Sequence, residues 1–266
     1  MGSFKGNVDF ARIPGHWVLA NLGKTVLRPG GIELTRIMLN RLDISSKDAV
    51  VEYAPGVGRT AKLTLGRNPR SYTAIEQDQE AAGVVMSYLN GTNQTCVVAD
   101  ARNPPLPDSS ATVIYGEAML TMQPDRLKEQ IIREANRMLQ PGGRYAIHEM
   151  SLQPNDISSE LKDTIHKDIS KVIRVDARPL TVDEWKGLLE RNGFRVIEVH
   201  TAPMHLLRMK RVISDEGVLG TLKIGCRCAT RSGAFKRVSA MRQTFLKYED
   251  NLGAVSIIAE KEQKQA

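Results

Sequence analysis

Cysteine is scarce in this chain. The three present, Cys96, Cys226 and Cys228, are too few for a disulfide framework and cannot complete a four-ligand zinc site without several histidines, so no metal is expected. A reducing cytoplasm is the expected location. Long apolar runs are missing too: Ala49-Val50-Val51 and Ala254 to Ala259 are among the longest, far short of the ~20 residues a membrane span needs. Met1-Gly2-Ser3-Phe4-Lys5-Gly6 holds no apolar signal core, and Gly6 stands where a myristoylation signal wants Ser or Thr. Aromatic residues make up only 5% of the chain, which leaves few platforms for stacking nucleobases. With 41% hydrophobic and 25% charged residues, wholesale disorder is excluded, and 266 residues suffice for one α/β domain with a large core.

Charge of one sign is in excess, at +7 with a pI near 9.4. Its distribution is uneven. Between Thr201 and Gly253 stand ten Lys and Arg against Asp215, Glu216, Glu249 and Asp250, so six of the seven net charges lie there. Nucleic acid, an anionic substrate, a membrane surface and a solvated helix face all remain open as reasons for it.

Apolar runs alternate with helical periodicities from Asp48 onward. Strands are expected at 49–53, 71–76, 94–99, 111–115, 144–148, 194–200 and 254–260, with helices near 59–65, 78–89, 124–139 and 181–191. That alternation means βαβ units and a mostly parallel sheet with right-handed crossovers. Before it, residues 1–47 form a loop-rich start with two helical stretches, Ile32 to Leu42 the clearer. Two segments are extra to the plan, 150–180 with a helix from Ile157 to Ile173, and 201–253 with helices near 204–213 and 233–248.

The first strand runs into Glu52-Tyr53-Ala54-Pro55-Gly56-Val57-Gly58-Arg59-Thr60, and a helix follows. Glycines at a strand-to-helix turn let the backbone approach a ligand. The next strand ends in Glu76, where a carboxylate can accept from both ribose hydroxyls. Gly56 to Ala61 also fits the relaxed G-x-G-x-x-A fingerprint, so an NAD(P)-dependent oxidoreductase competes at this point. The later strand ends carry Ala99-Asp100-Ala101, Gly116-Glu117-Ala118-Met119 and, before the fifth strand, Leu139-Gln140-Pro141-Gly142-Gly143.

Taken in order, these motifs resemble those of class I S-adenosylmethionine-dependent methyltransferases, in the small-molecule branch similar to quinone-biosynthesis enzymes (methyltransferase type 11). The resemblance covers roughly Asp48 to His200 and the final strand. It implies an α/β Rossmann-like fold: a seven-stranded, mostly parallel sheet with helices on both faces and two helical insertions. Residues 1–47 would be an N-terminal helical cap and 48–266 the methyltransferase domain, with substrate-side insertions at about 150–180 and 201–253. The implied cofactor is S-adenosyl-L-methionine. Glu52, Ala54, Gly56 and Gly58 match the motif holding its amino-acid half, Glu76 the ribose carboxylate, Asp100 and Ala101 the adenine contacts, and Gly116 and Glu117 the positions beside the sulfonium. Ala54 departs from the pattern, which usually has glycine there. Arg28-Pro29-Gly30-Gly31 resembles a loop that closes over the cofactor carboxylate in some relatives.

Methyl transfer from a sulfonium needs an aligned nucleophile and, for some acceptors, a base. His148 and Glu149 end the fifth strand on the carboxyl edge where ligands bind in open α/β sheets, and they are the candidate catalytic residues. Asn103-Pro104-Pro105 follows the wrong strand and lacks the closing aromatic of an amine-methylating motif. The reading is a small-molecule methyltransferase acting on oxygen or carbon, its acceptor anionic or amphipathic, with peripheral membrane contact and a homo-oligomer left open. The oxidoreductase and an RNA-binding protein using 201–253 are the alternatives, nucleic acid being disfavoured by the aromatic count.

Overall fold

The computed structural model describes residues 9–263, so the reading of Met1 to Gly6 lies outside the described residues. Its centre is one sheet built from β1 (Ala49–Tyr53), β2 (Ser71–Glu76), β3 (Gln94–Val98), β4 (Ala111–Glu117), β5 (Leu139–Leu152), β7 (Phe194–Pro203) and β8 (Leu252–Lys261), in the order β3-β2-β1-β4-β5-β8-β7. A two-residue strand, β6 (Leu180–Thr181), pairs with the end of β5 and makes eight strands where seven are expected. Only β8 runs antiparallel to its neighbours. The order reverses beside β1, whose carboxyl end therefore opens onto the crevice where ligands bind in such sheets.

Alternation along the strands sorts the helices onto two faces. Val50, Tyr72, Ala74, Val113, Tyr115 and Ala146 meet α2 (Gly31–Arg41), α3 (Arg59–Leu65) and α4 (Gln79–Met86). On the opposite face Val51, Ile114, Tyr145, Ile147 and Ile257 meet α5 (Asp125–Met138) and α7 (Val182–Glu190). Helix starts follow local chemistry. Asp78 accepts from the Ala81 amide at 2.9 Å, and Thr181 with Glu184 forms a capping box opening α7.

A third core lies beyond the carboxyl ends of β5 and β7. There α1 (Gly15–Leu22), α6 (Ser159–Ile173) and α9 (Ala234–Lys247) bury Val18, Leu22, Ile165, Ile169, Met241 and Phe245 with Met150, Leu152 and Leu252. The expected N-terminal cap is thus divided, α1 joining this cap and α2 covering the sheet. Between β7 and α9 lies α8 (Met209–Thr230), longer and later than the helix expected at 204–213, with Gly217 breaking its course at φ 72, ψ 170. Among the described residues no helix is long and apolar enough to cross a membrane.

Candidate active site

The carboxyl ends of β1, β2 and β4 and the loop after β3 surround a cavity of about 450 Å³. Glu52, Ala54, Gly56, Glu76, Asp100, Ala101 and Glu117 all line it, whereas Gly58 and Gly116 stand behind the wall. A side-chain carbon added to Gly58 would lie 2.5 Å from the Tyr88 ring, and the residue is the αL N-cap of α3 at φ 71. One added to Gly56, at φ 55, would meet nothing within 4 Å. Gly58 thus shapes the turn from behind, while Gly56 leaves backbone open to the cavity.

Ala54 sits at φ 49, its amide donating to the Ile75 carbonyl at 2.8 Å. The left-handed conformation costs an alanine roughly 1–2 kcal/mol that glycine escapes. Ala54→Gly is therefore expected to stabilise the protein by about 1 kcal/mol and raise Tm by about 2–4 °C. A melting curve in which the variant is equal to or weaker than the parent would refute the strain.

The acids are held in different ways. Glu52 is buried, and its Oε2 accepts from the hydroxyls of Tyr72 at 2.6 Å and Tyr115 at 2.7 Å. Burial pushes its pKa up to about 7, against the two tyrosine hydrogen bonds. Glu76 accepts from the amides of Gly56 at 2.9 Å and Asp78 at 3.0 Å, and burial raises it as well. Asp100 is pulled down by Arg102, whose Nε lies 2.8 Å from Oδ2 and whose amide donates to Oδ1 at 2.8 Å.

Glu117 is the hub of a buried network. It takes Arg28 and the Thr60 hydroxyl on Oε2, and the Thr35 hydroxyl at 2.6 Å and His148 Nδ1 at 2.7 Å on Oε1. Burial alone would raise its pKa, but Arg28 and His148 hold it far below the usual carboxylate range.

His148 and Glu149 do not reach the cavity. His148 is fully buried, with Nδ1 against Glu117 and Nε2 2.6 Å from the Pro29 carbonyl oxygen. Both ring nitrogens face acceptors, so the imidazole straps the 24–32 segment to the sheet edge rather than facing an incoming acceptor. Glu149, equally buried, accepts from the amides of Met119, Leu120 and Thr121 at 3.0, 2.8 and 3.0 Å and from the Thr121 hydroxyl at 2.7 Å. It caps the short 3-10 helix Leu120–Met122. The catalytic pair expected from strand position is a structural pair.

Of the segments that close the cavity, only Arg28-Pro29-Gly30-Gly31 stood out in the sequence. Neither 150–180 nor 201–253 contributes to the wall. His16, Trp17, Thr25, Leu27 and Arg28 do, from α1 and the segment after it. His16 is the histidine in that wall, and burial drops its pKa to about 4. The insertion acts indirectly. Glu216 accepts from the Thr25 amide at 2.7 Å, the Val26 amide at 2.9 Å and the Thr25 hydroxyl at 2.8 Å. Asp215 pairs with buried Lys24 at 3.1 Å and takes the Ile32 amide at 3.1 Å. A side-chain carbon on Gly31 would collide with that carboxylate at 2.7 Å.

A methyltransferase domain family model matches residues 51–147, the stretch from β1 to the middle of β5. An uncharacterized protein of Haemophilus influenzae is 34% identical over 93% of this chain and 98% of its own. The 27-O-demethylrifamycin SV methyltransferase of Amycolatopsis mediterranei is 30% identical over 52% of this chain and 44% of its own. The chain belongs to the class I methyltransferase family. It is an enzyme dependent on S-adenosylmethionine. The methyltransferase fold extends over nearly the whole chain: the [4+2]-cyclase SpnF superposes with a TM-score of 0.71 at 15% identity, covering 93% of this chain and 94% of that one. A cyclase sharing the architecture shows that the fold alone does not name the reaction.

The wall of this methyltransferase fits the cofactor by its chemistry. S-adenosylmethionine carries an ammonium, a sulfonium, a carboxylate, two ribose hydroxyls and an adenine amine. Four carboxylates, two arginines and an open glycine backbone answer that set, and a side chain at Gly56 would project into the space.

Proposed function

We propose that this methyltransferase passes the methyl group to oxygen or carbon of a small acceptor that arrives already nucleophilic. The observation carrying this reading is the wall itself: it has acids and arginines for the cofactor, but its one histidine, His16, is held neutral with a pKa of about 4. No imidazole of suitable pKa is at hand, and the one carboxylate raised to about 7, Glu52, is engaged by the Tyr72 and Tyr115 hydroxyls, so an ionised oxygen or an electron-rich ring carbon is the fitting acceptor. The rifamycin relative is named for an oxygen acceptor, which supports the same choice. An amphipathic acceptor suits a wall that mixes Trp17, Leu27 and Met119 with Arg28. Three free cysteines fit a cytoplasmic setting.

In this reading Arg28 pairs with the cofactor carboxylate, Glu52 and the Gly56 turn hold its amino-acid half, Glu76 takes the ribose and Asp100 with Ala101 the adenine. The protein's work is alignment, since the bound cofactor already supplies the activated methyl. Glu117 keeps Arg28 oriented, and the Asp215–Glu216 clamp keeps the 24–32 segment over the cavity.

Titration calorimetry with S-adenosylhomocysteine and with NAD tests the assignment. The homocysteine compound is expected to bind and NAD not to; the reverse would restore the oxidoreductase. Asp100→Ala and Glu76→Ala should each weaken S-adenosylhomocysteine about tenfold or more, the loss of one or two charged hydrogen bonds. Wild-type affinity in both would overturn the cofactor site.

A further inference from the structure

The five described large hydrophobic residues more than half exposed all fall in one stretch: Met209 at 63%, Val218 at 65%, Leu219 at 75%, Leu222 at 64% and Phe235 at 69%. Gly217 accounts for three of the five. It breaks α8 so that the part before it turns Asp215 inward while the part after it turns Val218, Leu219 and Leu222 out. In that second part Ile224 and Cys228, four residues apart, pack against the cap. Val218, Leu222 and Cys226 make the opposite stripe. A surface helix ordinarily has polar residues there.

Charge says what covers this face. From Gly217 to Lys247 there is no Asp or Glu, and there are seven Lys and Arg. Arg231 and Arg237 spend themselves on the backbone of 11–21, and Lys247 on Asp168. Lys223, Lys236 and Arg242 are exposed, and among the described residues they have no ion-pair partner. A second copy meeting this one through the same patch would bring two acid-free cationic surfaces together. Nucleic acid would suit the charge but would leave Val218, Leu219 and Leu222 without stacking or hydrogen-bonding work.

We propose that the α8–α9 hairpin, from Gly217 to Lys247, docks the enzyme on the surface of an anionic phospholipid bilayer. Its apolar stripe enters the headgroup boundary while Lys223, Lys236 and Arg242 meet lipid phosphates, the composition of an interfacial helix. No residue of the hairpin lines the cavity, so docking and methyl transfer are separable.

Full-length protein is tested by flotation with phosphatidylcholine vesicles, with and without about one-third phosphatidylglycerol. Anionic vesicles are expected to retain it at least about tenfold better, and added salt to release it. The triple variant Val218→Ser/Leu219→Ser/Leu222→Ser and the double variant Lys223→Glu/Lys236→Glu should each lose about tenfold while binding S-adenosylhomocysteine as the parent does. Equal retention on both vesicles, or full retention by either variant, overturns the proposal. So does a dimer in sedimentation that the triple variant dissolves, or RNA binding that the double variant alone abolishes.

Discussion

Arg28→Met is expected to weaken S-adenosylhomocysteine about a hundredfold and to cost on the order of 3 kcal/mol of stability. Two effects add. The guanidinium proposed to meet the cofactor carboxylate disappears, and a charged hydrogen-bonded contact is worth about 1.5–3 kcal/mol. Glu117 also keeps its buried charge with only His148 and two threonine hydroxyls beside it, and an orphaned buried partner typically costs about 3–5 kcal/mol. Arg28→Lys should recover part of the stability and little of the affinity, because an ammonium cannot reproduce the planar fork. Calorimetry below the variant's melting temperature separates the two effects. Wild-type affinity in folded Arg28→Met would remove Arg28 from the cofactor site.

Glu52 is expected to make stability fall as pH rises from 5 to 8. Its folded pKa, raised by burial from 4.5 to about 7, means the native state holds a proton that the unfolded chain has released. The stabilisation is complete below pH 4.5 and is lost as pH climbs through about 7, amounting to on the order of 3 kcal/mol. Glu117 works the other way. Held below its ordinary value, it contributes above that value and loses its contribution in acid. Glu52→Gln keeps an acceptor for Tyr72 and Tyr115 but cannot ionise. Its stability relative to the parent should therefore improve from pH 5 to pH 8, and a pH-independent difference in denaturant midpoints would show that Glu52 titrates normally. Because the cofactor brings positive charge, its binding should favour ionised Glu52, so affinity should also rise across this range.

The candidate site was legible wherever function resides in backbone turns and strand ends. Glu52, Gly56, Glu76, Asp100 and Glu117 stand at positions set by local order along the chain, and each meets the same cavity because parallel strands end on one edge. His148 and Glu149 share that edge, yet position along a strand does not say what comes to rest on top of it. Pro29 and the 119–121 amides arrive from 119 and about 30 residues away. They convert both side chains into structural ties.

The helical insertion shows the same division. Its periodicity was obscure because α8 carries apolar residues on both sides, Ile224 and Cys228 toward the cap and Val218 and Leu222 toward solvent. Its two inward acids act on residues 191 positions earlier, a distance that no local pattern encodes.

The sequence by itself determined the alternating α/β order, the glycine turn, the acids at the strand ends and the placement of six net positive charges in 201–253, all features of near neighbours in the chain. Tertiary structure alone decided that α1 joins the Arg28 segment in closing the cavity, that His148 and Glu149 are locked away from it, and that the cationic insertion faces outward. Those outcomes depend on burial and on which charges meet across the fold, and contacts between remote segments come into being only when the chain packs.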